Sequence, residues 1–303
     1  MESVPVGIEK LARPTIILRQ GIVLGTVLST DLNRPIEAFR GIPYALPPTG
    51  DRRFRRPVKV RDSLNIIDAG HYGLSAYGCK SSTSRTDPPE CSEDCLTANV
   101  FRQAAQTKQG LLPVMIYFHG GAFNRGTASM HNTASFVSWS EKPFLAVSFN
   151  YRLSALGFMP SRLSAEEGIL NLGLWDQILL LEWVQENIAA FGGDKTNVTL
   201  LGVSAGAHSI GHHILRHNDT NPGPFHRAIL ESGAPTSKAL LKFDAELCEN
   251  QFRDFLQCVG CPKDVPEALV FQFLRSMPIE TIAEAQNAVF EKYNGSLRWA
   301  FQP

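Results

Sequence analysis

Cysteine is sparse in this sequence, long apolar runs are absent, and neither sign of charge prevails. Each shortage removes a class of function. Six cysteines in 303 residues are too few for a disulfide scaffold. Cys258-Val259-Gly260-Cys261 spells CxxC but has no second pair for zinc and no strand-to-helix setting for redox work. Neither metal nor redox chemistry is expected of these cysteines. Basic and acidic residues both number 29, and nothing in that balance draws the chain to nucleic acid. The cluster Arg52-Arg53-Phe54-Arg55-Arg56 is too short to change this and reads as a solvated loop with one or two ion pairs. No stretch approaches the roughly 18 uncharged apolar residues of a membrane span. Between Met1 and Pro14, Glu2, Glu9, Lys10 and Arg13 mix with prolines, so no apolar signal-peptide region is visible. The expectation is a cytoplasmic protein without a transmembrane segment. Asn197, Asn218 and Asn294 each head an N-x-S/T sequence, which matters only in a secreted chain. No repeat or low-complexity tract appears, and no oligomeric state can be assigned.

What is present falls into two textures. Thr15 to Leu18, Gly21 to Val27 and Ile36 to Arg40 are β-rich runs split by Gly, Asn and Pro. Gly41 to Pro57 reads as an irregular proline-rich loop, and Ser81 to Pro89 as an exposed polar one. Leu96, Ala98 and Val100 alternate with polar residues, the pattern of a half-buried strand. From Val114 onward, strands and helices alternate. Phe144 to Phe149 is a strand. Leu174, Ile178, Leu181, Val184 and Ile188 mark an amphipathic helix stopped at Gly192-Gly193. Arg227 to Leu230 is a further strand. Such alternation implies parallel βαβ units in a doubly wound sheet. After Ser237 come helical segments broken by Pro262, Pro266 and Pro278.

Two motifs carry chemistry. Gly202-Val203-Ser204-Ala205-Gly206 follows the β-like run Val198 to Leu201 and precedes the helix-compatible stretch Ala207 to Leu215. Strand, sharp turn and helix with serine at the apex form a nucleophile elbow. A GxSxG arises by chance about once in ten chains of this length, so the setting decides. Upstream, the apolar run Pro113 to Phe118 empties into His119-Gly120-Gly121-Ala122-Phe123. A glycine pair after a strand lets backbone N–H groups turn outward together, as an oxyanion hole requires. Gly120, Gly121 and Ala205 are the expected donors, and His119 is expected to orient their loop.

Further blocks identify a family. Phe39-Arg40-Gly41-Ile42-Pro43-Tyr44-Ala45 with Pro47-Pro48, then Ser92-Glu93-Asp94-Cys95-Leu96 with Asn99-Val100, resemble signatures of the type-B carboxylesterase, lipase and cholinesterase family. Asn150-Tyr151-Arg152, Asn171 with Gly173, Asp176-Gln177, Phe191-Gly192-Gly193-Asp194 and Ser232-Gly233 match more of it, and the residues after the elbow look like fungal members. The resemblance covers almost the whole chain. It implies an α/β-hydrolase fold in one partial domain, residues 1–303, with a central, mostly parallel sheet flanked by helices. It also implies serine ester hydrolysis through Ser204 on a small-molecule or lipid ester, a mechanism that needs no metal and no cofactor. Cys79 and Cys95 resemble the family's N-terminal disulfide pair, and Arg53 with Glu93 a structural ion pair. Val203 departs from the commoner Glu beside the nucleophile.

The larger departure concerns the triad. In α/β-hydrolases the order along the chain is Ser, then Asp or Glu, then His. The last histidine here is His226, and the only acid between it and Ser204 is Asp219. That trio would have to fit within one helix and its loop, so the triad acid and histidine are expected to be absent. His208, His212 and His213 lie on the helix leaving the elbow and should point away from the serine. Leu297 to Pro303 resembles the opening of a family block, and Arg152 an arginine whose carboxylate partner lies further on. The expectation is a C-terminally truncated member lacking its last strands and helices, with an exposed apolar sheet edge and impaired activity. The alternative is a non-catalytic cholinesterase-like binding module, against which Ser204 and Gly120-Gly121 both stand.

Overall fold

The computed structural model describes residues 13–79, 90–104, 110–218, 220–236, 241–294 and 298–303. The Ser81–Pro89 loop, Asp219 and Leu297 lie outside the described residues. Ten strands and eight α-helices follow one another along the described chain. They are β1 (Thr15–Leu18), β2 (Gly21–Leu24), β3 (Thr26–Leu28), β4 (Ile36–Pro43), β5 (Ile66–Asp68), β6 (Thr97–Gln103) and β7 (Leu112–Phe118). Then come α1 (Thr133–Trp139), β8 (Leu145–Phe149), α2 (Ser154–Gly157), α3 (Arg162–Glu166), α4 (Leu172–Asn187), β9 (Gly193–Val203), α5 (Ala205–Arg216) and β10 (Arg227–Glu231). The last three helices are α6 (Glu246–Val259), α7 (Glu267–Ser276) and α8 (Ile279–Asn294).

Seven strands form the main sheet in the order β10-β9-β7-β8-β6-β4-β3. From β10 to β8 the pairs are parallel, and from β8 to β3 antiparallel. The remaining strands make a small sheet, β1-β2-β5. The run read as one strand from Gly21 to Val27 is cut at Gly25, where the chain passes from the small sheet to the large one. A Cβ there would sit 2.6 Å from the Phe39 ring, so only glycine permits the crossing.

The sheet carries helices on both faces. One face buries Val114, Ile116, Phe118, Val147, Val198 and Leu200 against Leu180, Trp183 and Val184 of α4 and Ile210 of α5. On the other, Met115, Tyr117, Ala146 and Phe101 pack with Ala134 and Val137 of α1. Strand β6 is buried at six of its seven residues rather than half-buried, because it lies between β4 and β8 under both cores. Helix α4 is likewise buried around much of its circumference, while Leu174 and Ile178 are only partly covered. A short 3₁₀ turn, Ile188–Phe191, carries it to Gly192, whose φ of 87° ends the run as Gly192-Gly193 suggested. Strand β10 forms one sheet edge, with Ile229 half exposed.

Two sequence-based pairings need correction. Cys79 and Cys95 are both free thiols, not a disulfide. The Cys79 sulfur is directed at Ser154 Oγ, 2.8 Å away, whereas Cys95 is buried in the main core. Burial pushes the Cys79 thiol up to about 12, which keeps it protonated and inert. Arg152 does not wait for a distant carboxylate. Its Nε and Nη2 donate to the two oxygens of Asp176 at 2.8 and 2.6 Å, and both side chains are buried. Arg53 and Glu93 do form the expected ion pair, bidentate at 2.6 and 2.7 Å, but Arg53 and Phe54 are buried, so Arg52–Arg56 is not the solvated loop expected. Arg53 Nη1 also donates 2.5 Å to the carbonyl of Met277, which ties the chain's N-terminal part to α7.

Candidate active site

Parallel strands β9 and β7 end side by side, and their turns meet. Phe118 pairs with Gly202, so the last residues of both strands lie level with each other. Beyond β9 the chain turns through Ser204 at φ 54° and ψ −121°, and α5 starts at the next residue. Such a backbone costs a non-glycine residue about 1–3 kcal/mol and persists only where the surroundings impose it. Those surroundings are visible. Ser204 N donates to Glu231 O at 2.8 Å on one side, and Ser204 O receives His208 N at 3.0 Å on the other. A Cβ on Gly206 would stand 2.0 Å from Phe118 O, and one on Gly202 2.5 Å from Gly206 C. The flanking glycines are therefore steric necessities of the turn. Ser204 is exposed to solvent.

The loop after β7 approaches within contact distance of this serine. A Cβ built on Gly120 would lie 3.2 Å from Ser204 Cβ and 2.7 Å from Val203 O. Gly121 has φ 118°, followed by Ala122 at 55° and Phe123 at 60°. Neither Gly120 N nor Gly121 N donates within the turns and loops, and Ala205 N, at the first residue of α5, has no partner inside the helix. Gly120 and Gly121 thus lie in the loop, and Ala205 at the helix start, that meet beside Ser204, and their amides have no partner among the described residues.

Residues that sequence reasoning did not single out as site residues hold the loop in its strained shape. Tyr151 Oη donates to His119 O at 3.0 Å, and Ser154 N to Phe123 O at 2.8 Å. Asn124 Nδ2 donates to Ala122 O and Ala300 O, while Ser154 Oγ donates to Asn124 Oδ1. Gln302 Nε2 adds a bond to Ala122 O at 2.9 Å. Their only sequence signal was the Asn150-Tyr151-Arg152 block. His119 is buried and stacked on Tyr151 with ring centroids 4.5 Å apart. Its Nδ1 lies 2.9 Å from Gly120 O, a carbonyl, so Nδ1 carries the proton and the buried Nε2 is left without a partner. Burial pushes its pKa down to about 4, which keeps it neutral.

No histidine is hydrogen-bonded to the Ser204 hydroxyl among the described residues. His226 belongs to the opposite end of the sheet. Its Nδ1 accepts from Val198 N at 3.1 Å, and Val198 precedes Ser204 by about 20 Å of extended strand. His208 Nδ1 is engaged with Ala234 O at 3.2 Å. His213 is buried, donating from Nε2 to Gln177 Oε1 at 2.8 Å. His217 meets Asn221 O. No cluster of three metal-ligating side chains occurs among the described residues, and no described helix is long and apolar enough to cross a membrane.

Comparison with known proteins identifies the family and the fold. Residues 12–303 match the carboxylesterase family. Secreted lipase 4 of Gibberella zeae is 38% identical over 282 residues, which is 93% of this chain and 50% of that protein. Secreted triacylglycerol lipase LIP1 of the same organism is 33% identical over 93% of this chain and 50% of its own length. Among solved structures, a thermophilic PNB esterase superposes with a TM-score of 0.79 at 34% identity, over 96% of this chain and 57% of that one. The fold is that of the α/β-hydrolases, and the chain spans about half the length of the curated relatives it matches. The expectation of a cytoplasmic protein is overturned, because these two relatives carry the word secreted in their names.

Proposed function

The chain belongs to the carboxylesterase family, and from that premise we propose that it forms the nucleophile half of an extracellular serine carboxylic-ester hydrolase. The strained, solvent-exposed turn at Ser204 carries this reading, because nothing in the packing of α5 or β9 needs a serine at φ 54°. Ser204 Oγ attacks the ester carbonyl carbon. The amides of Gly120, Gly121 and Ala205 hold the resulting oxyanion, and collapse of the intermediate expels the alcohol and leaves an acyl-serine. Water then releases the acid by the same route. Each oxyanion donor is worth about 3–4 kcal/mol of barrier.

The proton of Ser204 needs a base. In this fold the base is a histidine oriented by a carboxylate, and none of the histidines described above reaches the serine. We assign both groups to sequence outside these 303 residues. The neutral His119 holds Gly120 through Nδ1 and acts as a positioning residue. Small-molecule or lipid esters are the substrates, as the names of the relatives suggest. A non-catalytic binding module has no use for the strained serine or the uncommitted amides.

The test is acyl transfer from p-nitrophenyl butyrate with free imidazole supplied as an external base. The expected result is a butyryl group mapped to Ser204 and a release of p-nitrophenol above that caused by free imidazole alone, both lost in Ser204→Ala. No acyl-serine, or an excess release that ignores the substitution, would sink the proposal.

A further inference from the structure

A cavity of about 540 Å³ lies away from Ser204, between α4 with the segment before it, the C-terminal half of α5, Arg56 and Pro303. Its volume is that of a small-molecule site. Leu174, Trp175 and Ile178 of α4 form an apolar wall, and Arg56 and Arg216 stand beside it. Both guanidinium groups are stacked on the same indole. The Arg56 Cζ is 4.0 Å from the Trp175 ring centroid and the Arg216 Cζ 4.9 Å. Stacking engages the face of a guanidinium and leaves its in-plane N–H edge for a bidentate acceptor. No aspartate or glutamate lines the cavity, and neither arginine belongs to an ion pair among the described residues. His213, which also lines it, stays neutral because burial pushes its pKa down to about 3. His212 lines the cavity as well, and the permanent charge of the wall is positive and comes from the two guanidinium groups.

We propose that this cavity binds an amphipathic anion, its carboxylate or phosphate head held by Arg56 and Arg216 and its apolar tail against Leu174, Trp175 and Ile178. The site is separate from the nucleophile. Arg216 is the last residue of the 12-residue helix that begins beside Ser204, about 18 Å along the axis. The proposal does not rest on the esterase reading and fails independently of it.

Isothermal titration of the intact chain with dodecanoate, dodecyl phosphate and dodecanol, each below its micellar concentration, tests it. The expected result is one-to-one binding of at least one anion, about tenfold or more tighter than the alcohol. Whichever anion binds better names the headgroup. Arg56→Gln/Arg216→Gln, two exposed positions whose loss leaves the core intact, should weaken that binding about tenfold or more. Ser204→Ala should leave it unchanged. Absence of saturable heat with both anions, dodecanol binding as tightly, or a double variant that binds like the native chain would each overturn the proposal. So would loss of binding once Ser204 is covalently blocked, since that places the ligand in the catalytic cleft.

Discussion

Asp176→Leu should be among the most damaging single substitutions in this chain, and the reason lies in its partner. Asp176 is fully buried and Arg152 has 4% of its side chain exposed. The carboxylate accepts three hydrogen bonds from Arg152: Nε at 2.8 Å, Nη2 at 2.6 Å and the backbone N at 3.0 Å. Removing it strands a guanidinium in the core with only the carbonyl of Arg55 as an acceptor. Breaking a buried pair from one side costs about 3–5 kcal/mol, mostly the penalty of the orphaned charge. Replacing both partners by apolar side chains is far cheaper, often neutral or better. The Arg152 amide would still lose its acceptor, at about 1–3 kcal/mol. Arg152→Met/Asp176→Leu is therefore expected to be more stable than Asp176→Leu by about 2 kcal/mol or more. Urea unfolding followed by tryptophan fluorescence reports on this directly, since Trp175 and Trp183 lie in the same helix as Asp176. Equal or greater loss in the double variant would refute the reasoning, because it would mean that the pair contributes through packing rather than through mutual neutralisation.

Two further outcomes follow from the same geometry. Gly206→Ala places a Cβ 2.0 Å from Phe118 O, so the turn must open. We expect imidazole-dependent acylation of Ser204 to fall about 10²-fold or more as the Ala205 amide is displaced, with a stability loss of about 1–3 kcal/mol in urea. His119 and His213 are held neutral by burial, with pKa values pushed down to about 4 and about 3. The unfolded chain then binds more protons than the folded one below an ordinary histidine pKa near 6.5. Stability is complete above about pH 6.5 and declines as pH falls toward those values, at about 1.4 kcal/mol per unit of depression for each group. The urea midpoint should drop between pH 7 and pH 4.5, and His213→Gln should make that decline shallower.

The turn at Ser204 was legible because steric demand writes itself into sequence: at Gly202 and Gly206 a Cβ would collide with neighbouring backbone. The strand into Gly120-Gly121 was legible for the same reason, and so was the end of α4 at Gly192-Gly193. Burial on both faces was not. Leu96, Ala98 and Val100 alternate with small or polar residues that are themselves buried, since Asn99 spends its side chain on Gly41 N and Ser148 O. Pairings across the fold were harder still. Arg152 and Asp176 are 24 residues apart, and only the packing of α2 against α4 brings them together. The free thiols of Cys79 and Cys95 show the limit of resemblance, which carries residue identities but not what Ser154 and Asn124 do to the Cys79 sulfur. Cellular location was not legible, since an apparent lack of a leader is only an absence and two relatives are named as secreted.

Ser204 and the amides beside it are proposed as a competent nucleophile and oxyanion hole without a base. Intact mass after incubation with an organofluorophosphonate, with and without imidazole, tests it most directly. The expected result is no adduct on the chain alone, an adduct at Ser204 that grows with imidazole, and none at any imidazole concentration in Ser204→Ala. An adduct at Ser204 without imidazole would contradict the claim by revealing a base within the chain. No adduct under any condition would contradict it from the other side, by showing that the turn at Ser204 is not a working elbow.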